Sequence, residues 1–376
     1  MRLAFALFRY FPYGGLQKDM LAIARACQAL GAAVTVYTGA WEGNQPDDLA
    51  ISVLPARGRS NHGRNRAFAL ALHAALREKP ADRVVGFDRM PGLDVYFAAD
   101  TCFRAKLDEE RPWLYRWLPR CRQFLDYEGA VFGPRAQTRI LTISARSRDE
   151  YARYYPGSRA RMTLLPPGIA RDRRAGPDAA ERRARTRAQL GLRGDEHLLL
   201  FVGSGFRTKG LDRAILALAA LPEDLSAKTV LLVAGQDRAA RYAALAGRHG
   251  VAARVRFLGG RDDVADLLLA ADLLVHPARR ETAGVVLLEA AVAGLPVLTT
   301  AACGYATAIA GHAIGTVLSE PFSQDALSRA LARMVVERPR QPWSANGISF
   351  GESADIYDMP LRAAELILAA QSESVA

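Results

Sequence analysis

Short runs rich in β-branched and aromatic residues alternate with Ala, Leu and Arg-rich stretches of helical length from one end of the chain to the other. That pattern belongs to a parallel sheet with crossover helices. In the first half it predicts strands at Leu3–Phe8, Ala33–Thr38, Ile51–Leu54, Arg83–Phe87, Val95–Ala98 and Ile140–Ile143, with helices near Leu16–Leu30 and Arg66–Glu78. A second series follows at His197–Val202, Thr229–Ala234, Val255–Leu258, Leu273–His276 and Pro296–Thr299. Between the two series, Pro166, Pro167 and Gly168 can continue neither a helix nor a central strand, and an Arg-rich polar stretch runs on to about Gln189. The expectation is an α/β protein of two doubly wound Rossmann-like domains, 1–168 and 169–376, whose strand ends face a shared cleft, with the last helix a candidate to return to the first domain. The length of 376 residues suits two such units, each able to bury a core.

Several classes drop out. The cysteines, Cys27, Cys102, Cys121 and Cys303, are far apart and form no C-x-x-C pair, so neither a disulfide framework nor a zinc site is expected and a reducing compartment fits best. The opening MRLAFALFRYFPYGG fits a first strand and loop better than a signal peptide. The uncharged run Ala290–Ser319 is long enough to span a bilayer, but Gly294, Pro296, Gly304, Gly311 and Gly315 cut it up. It reads as a helix end, a buried strand and a loop. The net charge of +11 is uneven, with +9 on residues 1–170 and +2 on the rest. Such a field suits a polyanionic partner of the first half, although an arginine-rich genome composition explains part of it.

Two common phosphate motifs fail. Gly203-Ser204-Gly205 follows a strand, yet a dinucleotide fingerprint needs Gly or Ala where Thr208 stands, and a Walker A loop needs Gly directly before Lys209. What remains is a strand, a glycine turn, the cations Arg207 and Lys209, then Gly210 and a helix, an arrangement suited to a diphosphate. A second constellation runs from Glu281 to Glu289. Its Ala283-Gly284-Val285 step allows a tight turn into a helix whose first N–H groups form an anion site, and the two separated carboxylates suit hydroxyl-rich ligand groups. The turn Gly14-Gly15 after the first strand permits close approach of a phosphate or sugar, or is a plain tight turn. No D-x-D occurs, so no metal is expected and diphosphate charge is left to Arg207, Lys209 and helix N-termini.

These stretches, VGSGFRTKGLDRAI and FLGGRDDVADLLLAADLLVHPARRETAGVVLLEAAVAGLPVLTT, resemble the C-terminal half of retaining family 4 glycosyltransferases of GT-B fold. Together with MRLAFALFRYFPYGGLQKDM, NHGRN, ADRVVGF, MPGLDVYFAAD, LPPGI and CGYATAIA, nearly the full length is similar to the lipopolysaccharide core glucosyltransferase I family of Gram-negative bacteria. The resemblance implies transfer of a hexose from a UDP-sugar, either UDP-glucose or a related UDP-hexose or UDP-N-acetylhexosamine. The acceptor it implies is heptose of the inner core, phosphorylated, at the cytoplasmic face of the inner membrane. It makes Glu289 the ribose hydroxyl acceptor, Glu281 a contact to the donor hexose, and Arg207 and Lys209 partners of the diphosphate, with the main chain near Gly260 and Arg261 facing the base. Ser204 stands where many members carry arginine, so Arg207 must supply that charge. Asp100 and Asp19 are candidates for acceptor or sugar contact. Retention calls for a double displacement or a front-face return; the second is favoured because the well-placed carboxylates have binding roles.

The rival class is a basic membrane- or polyanion-binding protein without catalysis. It draws on residues 103–132, where Trp113, Tyr115, Trp117, Phe124 and Tyr127 are interleaved with Arg104, Lys106, Arg111, Arg116, Arg120 and Arg122, a composition suited to an anionic membrane surface. The bland alternative packs Trp113 and Trp117 into the core from one helical face. No nucleic-acid-binding motif is present, so nucleic acid is not an expected partner.

Overall fold

The computed structural model describes residues 1–12, 14–338 and 341–369. The chain divides into two units, one formed by Met1–Gly168 with the C-terminal residues from Tyr357 on, the other by Ile169–Ile356.

The first unit is built on β1 (Arg2–Leu7), β2 (Ala33–Thr38), β3 (Ala50–Val53), β4 (Arg83–Gly86), β5 (Val95–Ala98), β6 (Arg139–Thr142) and β7 (Met162–Leu164). All pairings are parallel, in the order β3-β2-β1-β4-β5-β6-β7. Strand β1 reads as an unbroken apolar run because both its faces are covered. Leu3, Phe5 and Leu7 point to one core, with Met20, Ile23, Ala24 and Cys27 of the helix Gly15–Ala29. Ala4 and Ala6 point to the other, with Phe68, Leu72, Phe132 and Tyr151. The helix Met359–Leu368 joins the first of these cores through Met359, Ala363, Ala364 and Ile367. Its carbonyl end is held by cations, since Arg83 donates to Ala369 O at 2.6 Å and Arg139 to Leu366 O at 2.6 Å.

The second unit carries β8 (His197–Val202), β9 (Thr229–Ala234), β10 (Val255–Gly259), β11 (Leu273–His276), β12 (Val297–Thr300) and β13 (Gly315–Leu318), parallel in the order β10-β9-β8-β11-β12-β13. The stretch 171–189, read from sequence as a polar linker, instead holds a short 3-10 turn at Arg171–Arg173 and the helix Ala179–Gln189. Two arginines of that helix turn inward. Arg183 and Arg187 meet the buried Asp272 at 2.6 and 3.2 Å, Arg338 adds a third contact at 3.1 Å, and Leu198 N donates to the same carboxylate at 2.8 Å. These charged hydrogen bonds outweigh burial and hold the Asp272 carboxyl below its usual range.

Two strands escape the sequence reading. Both β7 and β13 are edge strands of three and four residues, too short for a period-2 pattern to register. The part of Ala290–Ser319 read as a loop contains the helix Ala306–Gly311 and β13. No helix among the described residues is long and apolar enough to cross a membrane.

Candidate active site

In both sheets the strand order reverses beside the first strand of the unit, between β1 and β4 and between β8 and β11. Loops leaving the carboxyl ends of two such strands diverge to opposite faces and leave a crevice for ligands. The second unit places its charged residues there. Lys209 ends a four-residue helix, Phe206–Lys209, after β8, and Glu281 lies in the loop after β11. The Lys209 Nζ pairs with Glu281 Oε2. The two side chains are 22% and 18% exposed, so the pair is shielded without being sealed off.

Three loops combine to hold this pair. Arg279 N donates to Thr208 O at 2.8 Å, and its guanidinium bridges Arg207 O at 2.9 Å and both oxygens of Asp212 at 2.8 and 2.7 Å. Arg213 donates to Pro277 O and Ala278 O at 3.1 and 3.2 Å, and burial lowers its guanidinium to about 10. From the other side, Glu281 N donates to Ala302 O at 3.2 Å and Tyr305 N to Ala283 O at 2.8 Å, which ties in the loop after β12. Two glycines are required. At Gly203 (φ +124°) an added Cβ would sit 2.7 Å from Cδ and Cε of Lys209, so the lysine stem lies in the space a side chain would take. At Gly284 (φ +79°) the left-handed turn starts the helix Val285–Val292; Leu287 N turns back to Gly284 O at 2.9 Å, and no side chain among the described residues caps this end.

Burial alone would raise the Glu281 carboxyl, but Lys209 and then His276 overrule it and hold the group down to about 2. Glu289 lies further along the Val285–Val292 helix, 18% exposed, and accepts from Arg173 Nε at 3.1 Å. Arg173 was not singled out in the sequence, because nothing in an Arg-rich run distinguishes the one guanidinium that folds onto a carboxylate. Arg279 and Arg213 were missed for the same reason.

The remaining candidates are distributed as follows. Arg207 is exposed and lies two positions before Lys209 on one helical turn, so its side chain does not share the direction of Lys209 toward Glu281; its carbonyl accepts from Arg279 and from Gly210 N. Gly260 abuts the Gln236 side chain, whereas the Arg261 guanidinium folds onto Asp263. Gly14, Gly15, Asp19 and Asp100 belong to the first unit. Gly14 precedes the helix Gly15–Ala29 with Gln17 packed against it, and Asp19 lies within that helix. Asp100 follows β5, with a half-exposed carboxylate that receives Tyr96 Oη at 3.4 Å and faces Arg89 at 3.7 Å. Asp88, after β4, accepts from Phe8 N at 2.6 Å and is pushed up to about 7 by burial and by Asp100.

Arg89 also pairs with Glu128, which is fully buried and accepts from Phe103 N at 2.7 Å, Arg104 N at 2.9 Å and Tyr155 Oη at 3.0 Å. Glu128 thus fastens the start of the segment 103–132 to the core. Leu107, Cys121, Val131 and Phe132 of that segment are also buried, but its middle is exposed. Trp113 and Trp117 lie on a 3-10 turn rather than an α-helix and are 69% and 66% exposed, with Leu114 and Leu118 exposed beside them. The alternative that packs the two tryptophans into the core is therefore not what the fold adopts. Arg111 sits over Tyr115 at 5.0 Å, Arg120 over Phe124 at 5.8 Å and Arg122 over Trp117 at 6.0 Å. Among the described residues there is no cluster of three or more His, Cys, Asp or Glu side chains able to hold a metal.

The sequence pattern of glycosyl transferases group 1 matches residues 182–349, and that of glycosyltransferase family 4 matches residues 13–173. The chain is 44% identical over 368 residues to the lipopolysaccharide glucosyltransferase WaaG of Escherichia coli, covering 98% of each protein. It is 31% identical over 258 residues to a D-inositol 3-phosphate glycosyltransferase of Streptomyces griseus, covering 60% of this chain and 54% of that protein. Among solved structures, a crystal structure of WaaG superposes with a TM-score of 0.94 over 98% of this chain and 100% of that one. The Anabaena protein HepE, solved with UDP-glucose, is 18% identical with a TM-score of 0.76 over 98% of this chain and 99% of that one, a likeness of fold.

Proposed function

This chain belongs to the GT-B glycosyltransferase family represented by the Escherichia coli lipopolysaccharide glucosyltransferase, and on that premise we propose that it moves a hexose from a UDP-sugar onto heptose of the lipopolysaccharide inner core with retention. Membership makes the chain a hexosyltransferase and removes the reading as a non-catalytic binding protein. The observation that carries the proposal is the Lys209–Glu281 pair at the β8/β11 switch point, followed by the helix Val285–Val292 on which Glu289 meets Arg173.

The Lys209 ammonium faces the diphosphate and opposes the charge that grows on it as the glycosidic bond breaks. The N–H groups after Gly284 add to this without reorganising. Glu281, ionised and held by its partners, has lone pairs left for hydroxyls of the donor hexose, and Glu289 accepts from the ribose. The main chain at Gly260 and Arg261 borders the base. Gly14, Gly15, Asp19 and Asp100 serve the sugar and acceptor side. The leaving diphosphate takes the acceptor proton on the same face of the sugar, which gives retention without an enzyme nucleophile. Arg207 remains on the surface for longer-range attraction of the donor.

Turnover with UDP-glucose, UDP-galactose, UDP-GlcNAc and UDP-GalNAc, on phosphorylated and dephosphorylated heptosyl acceptors, tests this reading, with the anomer of the product read by NMR. An inverted product, or transfer abolished by a chelator, overturns the mechanism.

Trp113, Leu114, Trp117 and Leu118 with the surrounding arginines fit reversible docking on the anionic cytoplasmic face of the inner membrane, where each cation contributes about 1 kcal/mol. Arg120→Glu and Arg116→Glu should weaken sedimentation with anionic vesicles and leave UDP binding intact. Equal binding to neutral vesicles removes the docking part alone.

A further inference from the structure

His276 ends β11 directly beneath the site, fully buried, and neither ring nitrogen has a hydrogen-bond partner among the described residues. An imidazole left in this state loses hydration without replacing it, a cost that calls for a reason. The ring stacks on Phe201 at 6.0 Å, which fixes its plane, and Nε2 stands 3.6 Å from Glu281 Oε2, the oxygen that Lys209 also engages. We propose that His276 is a positioning residue of the transfer reaction: its imidazolium is the second partner of Glu281, taking over the carboxylate when the donor diphosphate engages Lys209.

The inference rests on the reading of Lys209 and Glu281 as donor contacts. Once a diphosphate competes for the lysine ammonium, a carboxylate this shielded needs another cation to stay ionised and in one rotamer. His276 supplies that cation from the rigid end of a central strand. The titratable groups facing the ring are Glu281, Lys209 and the Cys303 thiol, whose sulfur is 3.3 Å from Thr299 Oγ1, and Thr299 Oγ1 in turn donates to His276 O at 2.9 Å. Burial disfavours the charged ring, yet Cys303 and Glu281 outweigh it and the net displacement is upward from 6.5. The cation therefore persists to higher pH than that of an ordinary imidazole and is lost as pH rises through the displaced value.

The test compares kcat and KM for the UDP-sugar across pH 6 to 9 in the wild type, His276→Gln, His276→Leu and Cys303→Ala. In the wild type, kcat should fall on the alkaline side. His276→Gln, which retains a donor that cannot titrate, should lose that limb, lower kcat about fivefold and change the donor KM less than about twofold. His276→Leu should lower kcat further. Cys303→Ala, which removes one of the two groups that offset burial of the ring, should move the limb to lower pH. A His276→Gln enzyme with the wild-type profile overturns the proposal. Imidazole nitrogen NMR on the wild-type enzyme with UDP bound decides independently of whether the variants fold: a cationic ring at pH 7 is required, and a neutral one refutes it. Glu281→Gln separates the two layers of the argument. Wild-type turnover in that variant overturns the donor-site reading itself, whereas its loss beside an unaltered His276→Gln profile overturns only the role of His276.

Discussion

Replacing Gly203 by alanine should impair donor binding through a side chain that the mutation does not touch in sequence. The backbone at Gly203 has φ +124°, in the half of conformational space that alanine avoids, at a cost of about 1–3 kcal/mol. In addition, the new Cβ falls 2.7 Å from Lys209 Cδ and Cε, so the lysine stem must retreat by about 1 Å to reach ordinary carbon contact distances. That retreat breaks the pair with Glu281 and removes the ammonium from the diphosphate position. Losing one charged hydrogen bond to the ligand costs about 1.5–3 kcal/mol, roughly a 10- to 150-fold weaker Kd for UDP. Gly205→Ala is the matched control, because it imposes the same class of strain at φ +77° while its Cβ meets nothing within 4 Å. Both variants should lower the thermal transition of the second unit by about 2–4 °C per kcal/mol. Titration calorimetry with UDP should single out Gly203→Ala. Wild-type UDP affinity in Gly203→Ala, or equal losses in the two variants, would refute the assignment of Lys209.

Glu289→Ala should weaken UDP binding by roughly 1.5–3 kcal/mol and leave Arg173, only 10% exposed, without its carboxylate; calorimetry on the folded variant checks this, and unchanged affinity excludes the ribose contact. The depressed Glu281 carboxyl stabilises the fold above its ordinary value of 4.5, and that contribution is lost as pH falls toward about 2. Urea unfolding between pH 5 and 2 should therefore show a steeper loss in the wild type than in Glu281→Gln; parallel curves would contradict it. Trp113→Ala and Trp117→Ala should change stability by less than about 1 kcal/mol, since both rings are mostly exposed and only the Arg122 contact to Trp117 is lost. A larger drop by denaturant titration would restore a packing role.

The strands at the centre of each sheet were legible because burial on both faces requires apolar residues at nearly every position, and five or six such residues in a row stand out from Ala and Arg-rich helices. The glycine turn at 203–205, the lysine at 209 and the two glutamates stood out because cations beside a glycine turn at a helix start, and carboxylates around a second such turn, have the chemistry of an anion and hydroxyl site, and the fold pairs Lys209 with Glu281. The edge strands β7 and β13 were not, since an edge position is half-buried and tolerates almost any composition.

Arginine is where local sequence fails altogether. Fifty cations include only five lysines, so composition cannot tell Arg207, left on the surface, from Arg173 against Glu289, Arg279 across two loops, or Arg183 and Arg187 on Asp272. A guanidinium on a flexible stem can be solvated or buried at similar cost, and the choice depends on whether a carboxylate distant in sequence reaches it with the right geometry. The same holds for His276. In the sequence it is the last residue of a strand, and only the fold sets it beneath Glu281. The sequence by itself determined the two sheets and the glycine turn after β8, because periodicity and backbone chemistry act over a few residues. Tertiary structure decided which charges meet, because an ion pair depends on distances between loops far apart in sequence, as with Lys209 and Glu281 across 72 residues.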